Sequence, residues 1–243
     1  MDPRPAIIGK RLERIRRIIA VSSGKGGVGK SSVAAALAVV LRDLDYRTGL
    51  LDLDFYGPSA HVILGAGRRR PREDKGLIPV QVKGIDFLSI VHFAGNKPSP
   101  MRGPALTDAL TEMLAVTRWG PLDFLVVDMP PGLGDPMLDA MRLLKNARYL
   151  VVTTPSRVAL ETVRKLVGLL TEQKAHLLGF VENMRKPGDP PAADRLKPFR
   201  LRLLGTVPYD TQLEASLGSA TELGRTHFAR ALKDIVLRTT DFP

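Results

Sequence analysis

The chain has 243 residues, 44% of them hydrophobic and 25% charged, with a formal net charge of +11. That composition excludes a disordered chain, and the longest apolar run, Val33 to Leu41, is nine residues, well short of the roughly twenty a transmembrane helix needs. Cysteine is absent, which excludes disulfides, a thiol nucleophile and any thiolate-ligated zinc or iron–sulfur site within the chain. The four histidines, His61, His92, His176 and His227, lack paired ligand spacing. The length fits one α/β domain, read over residues 1–243. Met1-Asp2-Pro3-Arg4-Pro5 lacks the apolar core of a signal peptide, so the expected compartment is the cytoplasm. Residues 1–20, 66–75 and 184–202 hold the whole basic excess.

Ile8, Leu12 and Ile15 recur among Lys10, Arg11 and Arg14. An ordinary helix packed on the sheet edge is expected there, in preference to a membrane-surface helix. Strands are then expected at Ile18–Ser23, Thr48–Leu53, Asp86–Val91, Asp123–Asp128, Tyr149–Thr153, Leu177–Glu182 and Leu203–Val207. Helices are expected at Lys30–Leu44, Ala105–Val116, Pro136–Leu144, Ser156–Gln173 and Thr221–Leu237. Thr154 can cap the fourth of these, with Pro155 at its first position. Gly65–Gly84 and Arg185–Arg202 read as loops. Continuous apolar strands alternating with helices predict an α/β fold with one doubly wound, mainly parallel sheet flanked by helices.

Gly24-Lys25-Gly26-Gly27-Val28-Gly29-Lys30-Ser31 matches G-x-x-x-x-G-K-[ST] between a predicted strand and a predicted helix. Glycines let the backbone wrap an anion with its N–H groups inward, and the helix N-terminus adds favourable partial charge. The expected ligand is ATP with Mg²⁺, contacted along Gly24–Ser32. Lys30 is expected at the β- and γ-phosphates, and the Ser31 hydroxyl on the metal. Leu51-Asp52-Leu53-Asp54 ends the second strand, and alternation puts Asp52 and Asp54 on one side. Two carboxylates there are costly unless a cation uses them. Asp54 is the first choice for orienting the attacking water and Asp52 the second. Phe124-Leu125-Val126-Val127-Asp128 ends in a carboxylate suited to a water-mediated Mg²⁺ contact, so Ser31, Asp52, Asp54 and Asp128 form the candidate metal set. In Met129-Pro130-Pro131-Gly132, Gly132 can bring its N–H to a γ-phosphate. No glutamate stands where a general base is usual, so slow turnover is expected.

The early lysine, Lys25, makes the loop a deviant Walker A pattern. Here the chain resembles the dimeric P-loop ATPases that include partition ATPases, MinD and the nitrogenase iron protein. The resemblance implies a homodimer through the nucleotide face in which Lys25 reaches the partner's nucleotide, alongside Lys30 and Asp54 as catalytic residues. Asp54-Phe55-Tyr56-Gly57-Pro58-Ser59, Met101-Arg102-Gly103-Pro104, Trp119-Gly120-Pro121-Leu122-Asp123, Asp128-Met129-Pro130-Pro131-Gly132-Leu133-Gly134-Asp135, Val152-Thr153-Thr154-Pro155, Val181-Glu182-Asn183-Met184 and Leu204-Gly205-Thr206-Val207-Pro208 narrow the likeness to the Mrp/ApbC type. That likeness implies that Asn183 contacts the base, with Pro208, Tyr209 and Asp210 as the second wall of the base pocket.

That family is known for carrying iron–sulfur clusters on a Cys-x-x-Cys pair soon after Glu-Asn-Met. Here the stretch Arg185–Asp194 has no cysteine, so no bound cluster is expected, and thioethers and carboxylates are poor replacements. A role in cluster assembly with an unnamed client is the first functional reading. A partition- or positioning-type ATPase acting on DNA or a protein through basic surfaces is the alternative. Nucleic acid is not the favoured partner, because charge runs are usually solvated loops.

Overall fold

The computed structural model describes residues 2–67, 69–94, 103–199, 201–239 and 242. Met101 and Arg102, named above, and Arg68 of the basic stretch 66–75 lie outside the described residues. Eight strands form one sheet: Ile15–Ser22 (β1), Thr48–Asp52 (β2), Val80–Val82 (β3), Ile85–Ser89 (β4), Leu122–Asp128 (β5), Ala147–Thr153 (β6), His176–Arg185 (β7) and Leu203–Pro208 (β8). Their order is β8-β7-β6-β1-β5-β2-β4-β3, parallel throughout except for the antiparallel β3–β4 pair.

Strand alternation sorts the apolar runs onto two faces. Ile19, Val21, Leu50 and Val126 pack with Val33–Leu41 of the helix Lys30–Asp43. That run is buried all round, because the C-terminal helix places Phe228, Leu232 and Ile235 in the same cluster. Ala20, Leu51, Leu125 and Val127 face the other way, against the helices Pro104–Val116 and Arg157–Glu172. The N-terminal helix, Arg4–Leu12, buries Ile8 in this second cluster.

Several predicted boundaries move, each for a local reason. β1 begins at Ile15, which pairs with Leu122, so Ile15 belongs to the sheet and not to the preceding helix. The helix Arg157–Glu172 follows Ser156, which makes no side-chain cap bond, and Thr154 and Pro155 lie before it. The expected final helix divides into Ala220–Arg225 and His227–Arg238, because Thr226 is extended and its hydroxyl accepts from the Ala229 N–H at 3.0 Å, recapping the chain. The expected loop Gly65–Gly84 contains a two-stranded ribbon, Arg72–Glu73 with Leu77–Ile78, and then β3. Lys83 (φ 47°) and Gly84 (φ 84°) turn β3 into β4, the two positive φ angles that a two-residue hairpin of this hand requires. Arg185–Arg202 includes the end of β7, a short helix at Ala192–Leu196 and a 3₁₀ turn at Lys197–Phe199. Among the described residues no helix is long and apolar enough to cross a membrane.

Gly65 ends the helix Ala60–Leu64 in the left-handed region (φ 67°), and a Cβ there would collide with the Gly218 carbonyl oxygen. Gly65→Ala is expected to destabilise the fold by about 2 kcal/mol or more, from the left-handed penalty and the backbone clash together. Urea unfolding of both proteins measures it, and a change below about 0.5 kcal/mol contradicts the packing described for this turn.

Candidate functional site

The parallel strands of the sheet deliver their C-terminal ends to one face, and the phosphate-loop motif closes β1 on that face. Gly27 (φ 79°) and Gly29 (φ 80°) supply left-handed turns, and Gly29 is the N-cap of the helix Lys30–Asp43. A Cβ on Gly24 would strike the Thr162 backbone, so the loop lies directly on the helix Arg157–Glu172. On the opposite side a Cβ on Gly29 would strike Asn183, whose Nδ2 donates to the Val28 carbonyl at 2.9 Å. Ser23 Oγ donates to the Lys25 carbonyl at 2.9 Å. The loop is thus held in shape by protein contacts on both flanks. Gly26 and Gly27, at its crest, have open space around them.

Beneath the loop, Lys30 Nζ meets Asp128 Oδ1 at 2.5 Å, with the lysine 6% and the carboxylate 0% exposed. Sheet register places Asp52 directly beside Asp128, and Ser89 beside Asp52. Ser89 Oγ lies 3.3 Å from Asp52 Oδ2, while Asp52 Oδ1 accepts the Asp54 N–H at 3.0 Å. The Ser89 N–H in turn donates to His92 Nδ1 at 3.2 Å. Burial raises the Asp52 carboxyl to about 8, with the neighbouring Asp128 charge adding to the shift. Burial also raises Asp128, opposed by Lys30 and by a hydrogen bond from Ser31. Asp128 Oδ2 is buried with no protein partner among the described residues. One lysine therefore faces two buried carboxylates, a set with one negative charge too many unless a proton or a cation balances it.

The remaining predicted residues fall around this centre. Asp54 is 8% exposed, and its Oδ1 accepts the N–H groups of Tyr56 at 3.3 Å and Gly57 at 3.0 Å. Its carboxylate thus caps the turn that follows β2. Gly132 (φ 82°) turns its N–H to the Ser23 carbonyl at 3.3 Å, which ties the loop after β5 to the phosphate loop. Asn183 is 1% exposed, and its Oδ1 has no partner among the described residues. Pro208 ends β8, and the exposed Tyr209 ring carries the Lys186 ammonium 5.0 Å from its centre. Asp210 is taken up structurally: its two oxygens accept from the Gln212 N–H at 2.9 Å and the Phe228 N–H at 3.1 Å.

Two features escaped the sequence reading. Ser89 touches Asp52, but only the β2–β4 register reveals it; the motif-free stretch Phe87-Leu88-Ser89-Ile90 carries no signal beyond one polar residue in an apolar run. Glu182 is wholly buried, with Oε2 2.9 Å from Arg185 Nη1 and Oε1 accepting the Ala192 N–H at 2.9 Å. A glutamate in an apolar strand, three residues before an arginine, was the available clue.

A loop of backbone N–H groups closing the first strand of a parallel sheet, over a buried lysine and neighbouring carboxylates, defines a P-loop NTPase. The chain belongs to the ParA family described as NUBPL iron-transfer P-loop NTPase, whose model matches residues 14–228. It is 41% identical over 225 residues to the iron-sulfur cluster carrier protein of Aquifex aeolicus (strain VF5), covering 86% of this chain and 62% of that protein. It is 35% identical over 233 residues to the cytosolic Fe-S cluster assembly factor Nubp2 homolog 2 of Drosophila yakuba, covering 87% and 90% of the two chains. The chain thus spans less than two thirds of the length of the bacterial carrier from Aquifex. Among solved structures, a nucleotide-binding protein of Archaeoglobus fulgidus in complex with ADP superposes with a TM-score of 0.75 at 32% identity, over 92% of each chain. The septum site-determining protein MinD of Pyrococcus horikoshii OT3, complexed with Mg-ADP, shares the fold with a TM-score of 0.70 at 24% identity, over 90% of this chain and 93% of that one.

Asp52 gives a signed pH dependence. Its folded value of about 8 lies above the ordinary 3.8. Between those values the folded chain holds a proton that the unfolded chain has released, so its contribution to stability is lost as pH rises through that window. In nucleotide- and metal-free protein, wild type is expected to lose more stability than Asp52→Asn between pH 5 and pH 8. Asp86, raised by burial to about 6, acts in the same direction in both proteins and cancels in the difference. Parallel denaturation profiles for the two proteins would place Asp52 in the ordinary carboxylate range.

Proposed function

We propose that this chain binds Mg-ATP, hydrolyses it slowly as a homodimer joined across its nucleotide faces, and serves iron–sulfur cluster assembly in the cytoplasm without ligating a cluster itself. The observation that carries this reading is the buried set Lys30, Asp128 and Asp52 beneath a loop already held in phosphate-binding shape. Lys30 offers the β- and γ-phosphates a cation, and the loop N–H groups of Gly26 to Ser31 offer donors. The charge imbalance among the three side chains and the orphaned Asp128 Oδ2 fit a divalent cation. Ser31, Asp52 and Asp128 are the residues that would hold Mg²⁺, Asp128 through water, and the ion would neutralise phosphate charge. Asp54, next to this set at the end of β2, is the carboxylate assigned to orienting water. Asn183, with its free Oδ1 beside the loop, is assigned to the base, with Pro208 and Tyr209 as the outer wall.

Two observations support the dimer. Lys25 has no ion-pair partner among the described residues. Tyr56, Phe93, Val158 and Tyr209 are exposed apolar side chains that all follow strand exits on the nucleotide face. A second copy placed there would cover them and bring each Lys25 to the facing phosphates. Each such contact contributes roughly 1.5–3 kcal/mol, enough for two of them to tighten association a hundredfold or more.

Cluster ligation does not fit the segment after Asn183. Arg185 is locked to Glu182, its Nη2 donates to the Asp189 carbonyl at 3.2 Å, and the Asp189 carboxylate accepts the Lys186 N–H at 2.7 Å. Asp194 is paired with Lys197 at 2.7 Å. With no thiolate in the chain, a cluster has to be held by a partner, and this chain would contribute the nucleotide-driven step.

Lys30→Ala is expected to abolish ATP binding by calorimetry. Lys25→Ala is expected to bind ATP through Lys30 and the loop, yet to lose ATP-dependent dimerisation in analytical ultracentrifugation and most hydrolysis. Equal association of wild type and Lys25→Ala would remove the two-subunit mechanism. Asp54→Asn should keep affinity within several-fold and hydrolyse at least about tenfold more slowly; normal turnover there, with loss in Asp52→Asn, would exchange the two roles. Reconstitution with iron and sulfide is expected to leave no chromophore after desalting, and a stoichiometric brown species would contradict the absence of ligands.

A further inference from the structure

The N-terminal ends of the strands, on the side away from the phosphate loop, carry a cavity of about 400 Å³ lined by Lys10, Arg11, Arg14, Ile78, Arg118, Trp119 and Gly120. Four of these seven residues are cationic and none is acidic. They come from three separate stretches of chain: the end of the first helix with the turn after it, the Leu77–Ile78 ribbon, and the segment leading into β5. Main-chain bonds tie the three together, from the Arg118 N–H to the Leu77 carbonyl at 2.8 Å and from the Leu122 N–H to the Arg14 carbonyl at 3.2 Å.

Two of the cations are fixed in place. Arg11 Nε donates to the Ala115 carbonyl at 3.1 Å and its Nη2 to the Lys75 carbonyl at 3.3 Å. Arg118 bonds the Asp74 carbonyl and lies 3.2 Å from the Asp74 carboxylate. That single acidic partner serves one of the four. Lys10 and Arg14 are exposed and form no ion pair among the described residues. Trp119, 4% exposed, forms part of the cleft's wall beside these cations.

Like charges gathered from two segments of chain repel, and an anion placed among them relieves that repulsion. An arginine pinned by carbonyls on some of its five N–H groups is a pre-organised oxyanion donor on the others. We propose that this cleft is a binding site for a small, multiply charged oxyanion of the pyrophosphate or tricarboxylate type. The ligand is held by Lys10, Arg11, Arg14 and Arg118 and rests against Ile78 and Trp119. The site is separate from the phosphate loop: β1 runs from Ile15, next to Arg14, to Ser22 at the start of the loop, a span of roughly 20 Å at the ordinary strand rise. It does not depend on the ATPase reading.

Trp119 is the chain's single tryptophan, so its fluorescence reports on this cleft. Titration of the full chain with inorganic pyrophosphate, and separately with citrate, is expected to give a saturable change with at least one of them at submillimolar concentration, weakened by added salt. Response to one alone names the chemical type. Lys10→Glu/Arg14→Glu should weaken that response at least about tenfold with an unchanged far-ultraviolet spectrum, and the milder Lys10→Gln/Arg14→Gln should weaken it several-fold. No saturable change with either anion, or an identical titration in wild type and both double variants, would overturn the assignment. An identical titration would place the binding at the phosphate loop.

Discussion

A lysine and an aspartate facing each other at 2.5 Å in a nearly dry interior set the terms for the rest of this molecule. Removing two charges from water costs several kcal/mol each, and their mutual attraction returns that only when geometry and further hydrogen bonds are good. The fold brings the pair into close contact by placing Lys30 on the first turn of a helix buried along Val33–Leu41 and Asp128 on the last residue of a central strand. The third charge, Asp52, accepts hydrogen bonds from the Asp54 N–H and Ser89, but burial and the neighbouring Asp128 charge push it towards its neutral form. The site is therefore built with an unbalanced charge, which stabilises little on its own and makes the protein sensitive to whatever cation or proton arrives.

The same interior explains why the phosphate loop needs so many glycines and why they are not equivalent. Gly27 and Gly29 answer to backbone angle, whereas Gly24 answers to the close approach of the helix Arg157–Glu172. Asn183 adds a strut from β7, so the loop is clasped between elements from the middle and the end of the chain. A change in the position of β7 would be felt directly at the Val28 carbonyl. The loop after β5 joins the same cluster through Gly132 and Ser23. The parts proposed to contact a nucleotide are thus mechanically continuous with one another.

Much of this was legible in the sequence because it is local. The phosphate-loop spacing, the strand before it and the buried helix after it are contiguous, and apolar runs reveal strands covered on both faces. The parallel sheet followed from alternation alone, and the family from motifs such as Asp54–Ser59 and Glu182–Met184. What was hidden depends on register or on single dihedral angles. Ser89 acquires meaning only when β4 settles beside β2. The break at Thr226 hides in an otherwise helical period because one threonine hydroxyl caps a new helix more favourably than the old one continues. The β3–β4 hairpin was masked by a charged, glycine-rich stretch, although the Lys83-Gly84 pair was its signature. Asp210, expected in the wall of the base pocket, also anchors the start of the last helix, which no sequence motif announces.

That hairpin also decides how the sheet ends. At one edge the direction reverses into a strand of three residues, and at the other β8 pairs with β7 through two register shifts and stops at Pro208. Short, bulged or proline-ended edges are poor templates for adding a foreign strand. A long parallel sheet with flat edges would invite chains to stack through their backbones, in register and without limit. Here both flanks are closed to that route, so copies of this chain have to meet through side chains and loops. Contacts of that kind form a finite assembly where their symmetry closes, and they can be undone without breaking a backbone ladder.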